Sequence, residues 1–170
     1  MQERTGIITF LGNPLTLLGP QIQKGDAAPD ATLIDNNMNP VRLSSYRGKS
    51  CILSSVPSLD TPVCDMETRR FNTEASKMGP GTAILTVSMD LPFAQKRWCG
   101  AAGVDKVTTL SDHRNAEFGA AYGVLIKELR LLARAIFIVD PKGKVQYVQQ
   151  VGEISHEPDY AAVLKALSSL

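Results

Sequence analysis

Cys64 has the surroundings that most need a chemical explanation. It follows Thr61 by three positions in "VPSLDTPVC", Val56 to Cys64, at the close of a proline-bounded turn. Pro57 and Pro62 restrict the backbone on both sides of "SLDT", and a helical pattern begins at about Cys64, so the sulfur falls in or beside a first helical turn. Unpaired N–H groups and the positive end of the helix dipole favour thiolate over thiol there. Cysteines so placed fall from a pKa of about 8.5 to roughly 3.5–7.5. Thr61, one turn ahead, carries a hydroxyl that can donate to a thiolate or accept from a protonated substrate oxygen. A thiolate beside a hydroxyl suits attack on a polarised oxygen or sulfur. By itself the same cysteine reads equally well as a small buried hydrophobe; the turn and the helix start favour the nucleophile.

The other thiols are Cys51 and Cys99, giving an odd total at uneven spacing, which is poor material for a secreted disulfide framework. There is no C-x-x-C, and with only His113 and His156 available no spacing resembles a zinc site, so neither metal nor cofactor is expected. "GKS" at Gly48 to Ser50 lacks the glycine that a phosphate-binding loop needs at position 43, which is Leu43. A net charge of +1 offers no basic stripe for nucleic acid. No segment approaches the roughly 20 apolar residues of a membrane span, and the N-terminus has no signal-like apolar core, so a cytoplasmic protein with no membrane contact is expected.

The elements that must position Cys64 follow from periodicity. A chain of 170 residues fits one domain, and 44% hydrophobic residues is enough for a core without staples. "TGIITF" and "PLTLLG", separated by "LGNP", predict an N-terminal hairpin. A short strand is expected around Ala31 to Ile34. "CILSSV" then reads as a strand, "CDMETRRFNTEASKM" as a helix with Phe71, Ala75 and Met78 on one face, and "TAILTVS" as the next strand. "DLPFAQKRWCGAAG" predicts a short helix opened by Pro92 and stopped at Gly100, "VTTL" a brief strand, and "SDHRNAEFGAAYG" another capped helix. "RAIFIVDPKGKVQYVQQV" predicts two antiparallel strands joined by "DPKG", which makes the sheet mixed. A last helix, opened by Pro158, carries Tyr160, Val163, Leu164 and Leu167 as its apolar stripe. "LIKELRLLARA" runs straight into a strand, so core packing is expected of it rather than a membrane-surface role.

These residues carry a resemblance. Pro57-x-x-x-Thr61-x-x-Cys64 resembles the active-site motif of peroxiredoxins. The flanks "SVPSLDTPVCDMETRRFN", "LPFAQKRWCGAAG", "TLSDHRNAEFGAAYGVLIKELRLLARAIFIVD" and "EPDY" are similar to the bacterial thiol peroxidase branch, over nearly the whole chain. The resemblance implies an α/β thioredoxin-like fold, a mixed central sheet flanked by helices with the hairpin appended, in a single domain spanning residues 1–170. It implies reduction of hydrogen peroxide and alkyl hydroperoxides, with antioxidant defence as the role. Cys64 corresponds to the peroxidatic cysteine, oxidised to a sulfenic acid. Thr61 corresponds to the residue that orients the peroxide, Pro57 to the one that shields the sulfenate, and Arg134 to the one that stabilises the thiolate and polarises the O–O bond. The N–H groups of Val63 and Cys64 would complete the cradle. Cys99 corresponds to the resolving cysteine, closing an intramolecular disulfide with Cys64 that thioredoxin reduces. A homodimer formed through a face near the site is also implied.

Bridged cysteines need Cα atoms about 5.5–6 Å apart, and Cys64 and Cys99 begin on different helices, so one or both helix ends are expected to unwind in each cycle. Cys51 begins an apolar strand and is expected to be a packed thiol. Arg69 and Arg70 are expected to face solvent or pair locally while adding positive potential, and His113 and His156 to be capping or surface residues. Ala31 stands where the family has an aromatic residue, and Cys51 where an aliphatic one is usual. Two other functions compete: a redox sensor or chaperone-like protein using the same disulfide as a switch, and a disulfide oxidoreductase, which the missing C-x-x-C disfavours.

Overall fold

"CILSSV" is a short run of apolar and small residues, a pattern that fits burial on both faces of a sheet. In the computed structural model, which describes residues 1–170, it forms the centre of the molecule. The elements are β1 (Glu3–Phe10), β2 (Asn13–Leu18), β3 (Thr32–Ile34), β4 (Pro40–Arg42), β5 (Ser50–Ser55), α1 (Pro62–Ala75), β6 (Thr82–Ser88), α2 (Pro92–Ala102), β7 (Thr108–Ser111), α3 (Glu117–Ala121), β8 (Leu125–Ile126), β9 (Ala135–Val139), β10 (Val145–Gln150) and α4 (Tyr160–Ser168). A seven-stranded sheet runs β10-β9-β5-β6-β7-β3-β4. β5, β6 and β7 are parallel, while β9 is antiparallel to both β5 and β10. The sheet is therefore mixed, as expected, and the N-terminal hairpin joins β8 in a separate three-stranded sheet.

Alternation along the strands divides the core in two. Ile52, Ile84, Ile136 and Ile138 face Phe71 of α1, Val163 of α4 and the half-buried Trp98 and Ala102 of α2. On the other face Leu53, Leu85, Leu110 and Phe137 meet Phe118 and Tyr122 from around α3, together with Ile8 and Leu17 of the hairpin.

Several boundaries differ from the sequence reading. α2 runs past Gly100 and ends at Gly103, whose left-handed backbone (φ 65°) lets its N–H reach the Cys99 carbonyl, a termination that favours glycine. α3 has five residues, and its first amides are held by Asp112, whose carboxylate accepts from the N–H groups of Phe118 (3.1 Å) and Gly119 (2.8 Å). α4 starts at Tyr160 rather than Pro158, because Asp159 caps it by accepting from the Ala162 N–H. "LIKELRLLARA" packs into the core as expected, with Leu125, Ile126 and Leu132 buried, but as β8 and a turn, since Leu17 and Leu18 claim its backbone as a strand partner.

Candidate active site

β5 delivers the chain to the turn that carries Pro57 and Thr61, and α1 begins there. The first hydrogen bond of α1 runs from the Asp65 N–H to the Thr61 carbonyl (2.9 Å), and Thr61 makes no side-chain cap bond. The amides of Val63 and Cys64 stand ahead of that first bond, where a helix has no internal acceptor for them. Cys64 is fully buried in a small cluster with Val56 and Leu59, against which Trp98 packs. Arg134 Nη2 donates to its sulfur at 3.2 Å.

Arg134 is 1% exposed, at the residue before β9, and its guanidinium is used on all sides. Nε and Nη2 both donate to the Ile154 carbonyl (3.1 and 2.9 Å), and Nη1 donates to the Glu67 carboxylate (2.5 Å). The second Glu67 oxygen accepts from the Ser54 hydroxyl at 2.6 Å. Burial opposes the charge on Arg134, but Glu67 and Cys64 outweigh it and hold the guanidinium above its ordinary value. Burial likewise pushes the Glu67 carboxyl up, while Arg134 and Ser54 pull it down. A fixed, charged fork therefore points at Cys64 from a site that excludes water.

Thr61 is beside the sulfur in sequence, but its hydroxyl is turned back onto the Ser58 carbonyl (2.8 Å), leaving its oxygen as an acceptor. Pro57 is buried next to Val56. Asp90, just after β6, pins this turn by accepting from the Ser58 hydroxyl (2.7 Å) and the Leu59 N–H (2.8 Å). An open pocket of about 410 Å³ is lined in part by Leu59, Thr61, Pro62, Asp65 and Trp98.

Cys99 lies elsewhere. It is half-buried in the last turn of α2, with its sulfur 3.3 Å from the Thr109 hydroxyl. Thr109 donates its own proton to Asn36 Oδ1 (3.1 Å), which leaves its oxygen to accept from the Cys99 S–H; Asn36 Nδ2 lies 3.9 Å from the same sulfur. Strand register sets Ser54, Thr86 and Thr109 in one row across β5, β6 and β7. Ser54 supports the Cys64 network and Thr109 holds Cys99, so the two networks rest on strands about 10 Å apart. The Thr86 hydroxyl between them is buried without a partner. All three cysteines are free thiols. Cys51 lies in the core, as expected of a packed thiol, and burial pushes it up to about 11.

The sequence reading brought Cys64 and Arg134 together but missed Glu67 and Asp90. Glu67 follows Cys64 by three and precedes Phe71 by four, so a carboxylate on the buried face of α1 was its signal; nothing in sequence marks Asp90. Asp65 was also missed. It accepts from Trp98 Nε1 (2.9 Å) and Arg69 Nε (2.8 Å), and Arg69 donates to the Ala102 carbonyl (3.0 Å), clasping the end of α2 to the start of α1. Arg69 and Arg70 pair locally with Asp65 and Glu74, as expected.

Comparison with known proteins speaks to family and fold. The Redoxin family model matches residues 23–164. The chain is 55% identical to the thiol peroxidase of Oceanobacillus iheyensis, covering 95% of this chain and 98% of that protein, and 52% identical to that of Bacillus subtilis, covering 96% and 97%. Among solved structures, a peroxiredoxin-like protein from Aquifex aeolicus superposes with a TM-score of 0.91 at 42% identity, covering 99% of both chains.

Proposed function

The chain belongs to the Redoxin family, and from that premise we propose that it reduces hydroperoxides on Cys64 and resolves the product through Cys99. With a thioredoxin-like fold and this likeness to named thiol peroxidases, it is a thiol-dependent peroxidase whose substrate is a peroxide and whose reductant is a thiol. The observation that carries the residue assignment is the 3.2 Å contact between Arg134 Nη2 and the Cys64 sulfur at the start of α1.

In the first step the Cys64 thiolate attacks one peroxide oxygen. An S–O bond forms, the O–O bond breaks, and the departing oxygen takes up from solvent a proton equivalent to the one the thiol released, leaving as water or an alcohol. Arg134 and the free amides of Val63 and Cys64 stabilise the charge that moves onto oxygen. Thr61 orients the peroxide through the oxygen that its bond to Ser58 leaves free, and buried Pro57 shields the sulfenic acid. In the second step the Cys99 sulfur displaces hydroxide from Cys64, which leaves as water with the thiol proton, and a disulfide results. Since Cys99 is held by Thr109, it must leave that contact, and the end of α2 unwinds with it.

Thioredoxin is the reductant, the assembly is a homodimer formed near the site, and the compartment is the cytoplasm; no helix is long and apolar enough to cross a membrane. The assignment is tested by substitution and mapping. Cys64→Ser abolishes peroxide consumption, whereas Cys99→Ser completes one turnover and stops as a sulfenic acid. Peptide mapping after one equivalent of hydroperoxide then finds Cys64 joined to Cys99; Cys64 joined to Cys51 instead, or undiminished turnover in Cys64→Ser, would reject the scheme. Steady-state turnover with thioredoxin and its reductase, compared with glutathione, tests the reductant.

A further inference from the structure

The hairpin β1–β2 precedes residue 23, where the match to the Redoxin model begins, and no chemical step above uses it. Its contacts nevertheless lead to the catalytic arginine. β1 lies along the segment after β10: the Thr9 N–H donates to the Gly152 carbonyl (2.7 Å), and the Ile154 N–H donates to the Thr9 carbonyl (3.0 Å). Glu153, between them, turns its carboxylate into the tip of the hairpin. There it accepts from the Thr9 hydroxyl (2.6 Å), the Leu11 N–H (3.0 Å) and the Gly12 N–H (3.1 Å), and from its own neighbour, the Ser155 hydroxyl (2.7 Å). Those donors, Thr9 first and then Ser155, hold the Glu153 carboxyl far below the usual carboxylate range, which keeps it charged and the clasp intact.

Ile154 links this clasp to the site. Its N–H is fixed by Thr9, and its carbonyl takes both Nε and Nη2 of Arg134. The same Nη2 donates to the Cys64 sulfur. The other strand of the hairpin supports the opposite side: β2 pairs with β8, and the Ala133 N–H, next to Arg134, donates to the Val124 carbonyl at the edge of β8 (2.7 Å).

We propose that the hairpin is a brace for the catalytic arginine, in which Thr9 and Glu153 are positioning residues that fix the Ile154 carbonyl and so aim Arg134 at Cys64. The physical ground is the narrow tolerance of the contact. One carbonyl holding two N–H groups sets the plane of the guanidinium, and hydrogen bonds weaken steeply once the donor angle is lost. A displacement of about 1 Å at a reacting centre lowers a rate by up to about a hundredfold. The proposal rests on Cys64 being the nucleophile.

The test uses the full-length chain carrying Cys99→Ser, with Glu153→Ala, Thr9→Val, Thr9→Ser and, as control, Glu3→Gln, which breaks the exposed β1 ion pair with Lys127 at the far end of the hairpin. Peptide-resolved alkylation by iodoacetamide across pH gives the midpoint for Cys64 thiolate formation, and stopped-flow mixing gives its rate with hydroperoxide. Glu153→Ala and Thr9→Val are expected to move the midpoint to higher pH and slow the peroxide reaction about tenfold. Thr9→Ser, which keeps the hydroxyl, restores both, and Glu3→Gln matches the parent. If Glu153→Ala or Thr9→Val lowers the melting temperature while midpoint and rate stay at the parent values, the hairpin only stabilises the fold and the brace is overturned. If Glu153→Ala does not fold, Thr9→Val decides alone on the same criterion. A parent whose Cys64 fails to react with hydroperoxide overturns the nucleophile and the brace together, whereas a reactive parent with indistinguishable variants overturns the brace alone.

Discussion

A guanidinium can serve three acceptors in different directions without losing its charge, and Arg134 does so with Ile154, Glu67 and Cys64. A lysine ammonium is a point charge that cannot reach all three. Arg134→Lys is therefore expected to slow the reaction of Cys64 with peroxide about tenfold to a hundredfold, the worth of one hydrogen bond to a charged group at about 1.5–3 kcal/mol. Second-order rates from stopped-flow mixing check this, and an unchanged rate would remove the arginine from the mechanism. Arg134→Ala is a stability experiment as well. It leaves Glu67 buried and unpaired, and breaking a buried pair from one side costs about 3–5 kcal/mol, which urea denaturation would read. Cys99 supplies a prediction of opposite sign. Thr109→Val keeps the shape and removes the acceptor that holds the thiol, so disulfide closure is expected to quicken about fivefold, the worth of roughly 1 kcal/mol. Trp98, the sole tryptophan, neighbours Cys99 and packs against the small cluster that holds Cys64, so its fluorescence follows that step; a slower closure would mean that Thr109 helps the attack.

At the scale of elements, what was legible in the sequence is what local pattern controls. The hairpin tip "LGNP", the run "CILSSV" and the "DPKG" turn each specify their element without reference to distant residues. Where a distant residue decides, the reading failed. The burial of "LIKELRLLARA" was legible but not β8, which β2 holds as a strand, and α2 passes Gly100 because the Asp65 and Arg69 clasp and the Gly103 terminus fix its true end. Glu67 was hidden for the same reason, since its partner Arg134 lies 67 residues away. Asp112 shows how such a partnership reaches solution behaviour. It caps α3 from outside the helix, and burial raises its carboxyl to about 6, while the amides of Gly119 and Phe118 pull the other way. The folded chain therefore binds this proton more tightly than the unfolded chain, in which an aspartate titrates near 3.9. This residue's contribution to stability is present below about pH 4 and is lost as pH rises through about 6. Asp112→Asn removes that slope. The difference in urea midpoint between the two proteins is expected to change between pH 4 and 6 and to be flat above 7; a flat difference throughout would mean that Asp112 titrates normally.

For the whole molecule, the proposed redox cycle sets a conflict between a fixed site and a mobile one, and the distribution of the core suits both. The two large clusters, of 23 and 8 buried residues, hold the sheet to α1, α3, α4 and the hairpin. Val56, Leu59 and Cys64 form a third cluster of their own, touched by Trp98. Exposing one such side chain costs about 1.5–3 kcal/mol, a cost that local opening supplies without global unfolding. Arg134, by contrast, is anchored by β9, Glu67 and the segment that the hairpin clamps, so under the proposed scheme its charge is expected to stay in place while the sulfur's other neighbours move. Hydrogen exchange on the dithiol and disulfide forms would separate these parts. Amides of residues 59–66 and 96–104 are expected to lose protection on oxidation, because in the proposed scheme the α1 start and the α2 end unwind for the sulfurs to meet, while those of β5, β6, β9 and residues 9–12 at the hairpin tip are expected to stay as they were. Equal protection of both cysteine segments in the two forms would mean that the disulfide closes within the intact helices. Loss of protection at the hairpin would mean that Arg134 is released in every cycle.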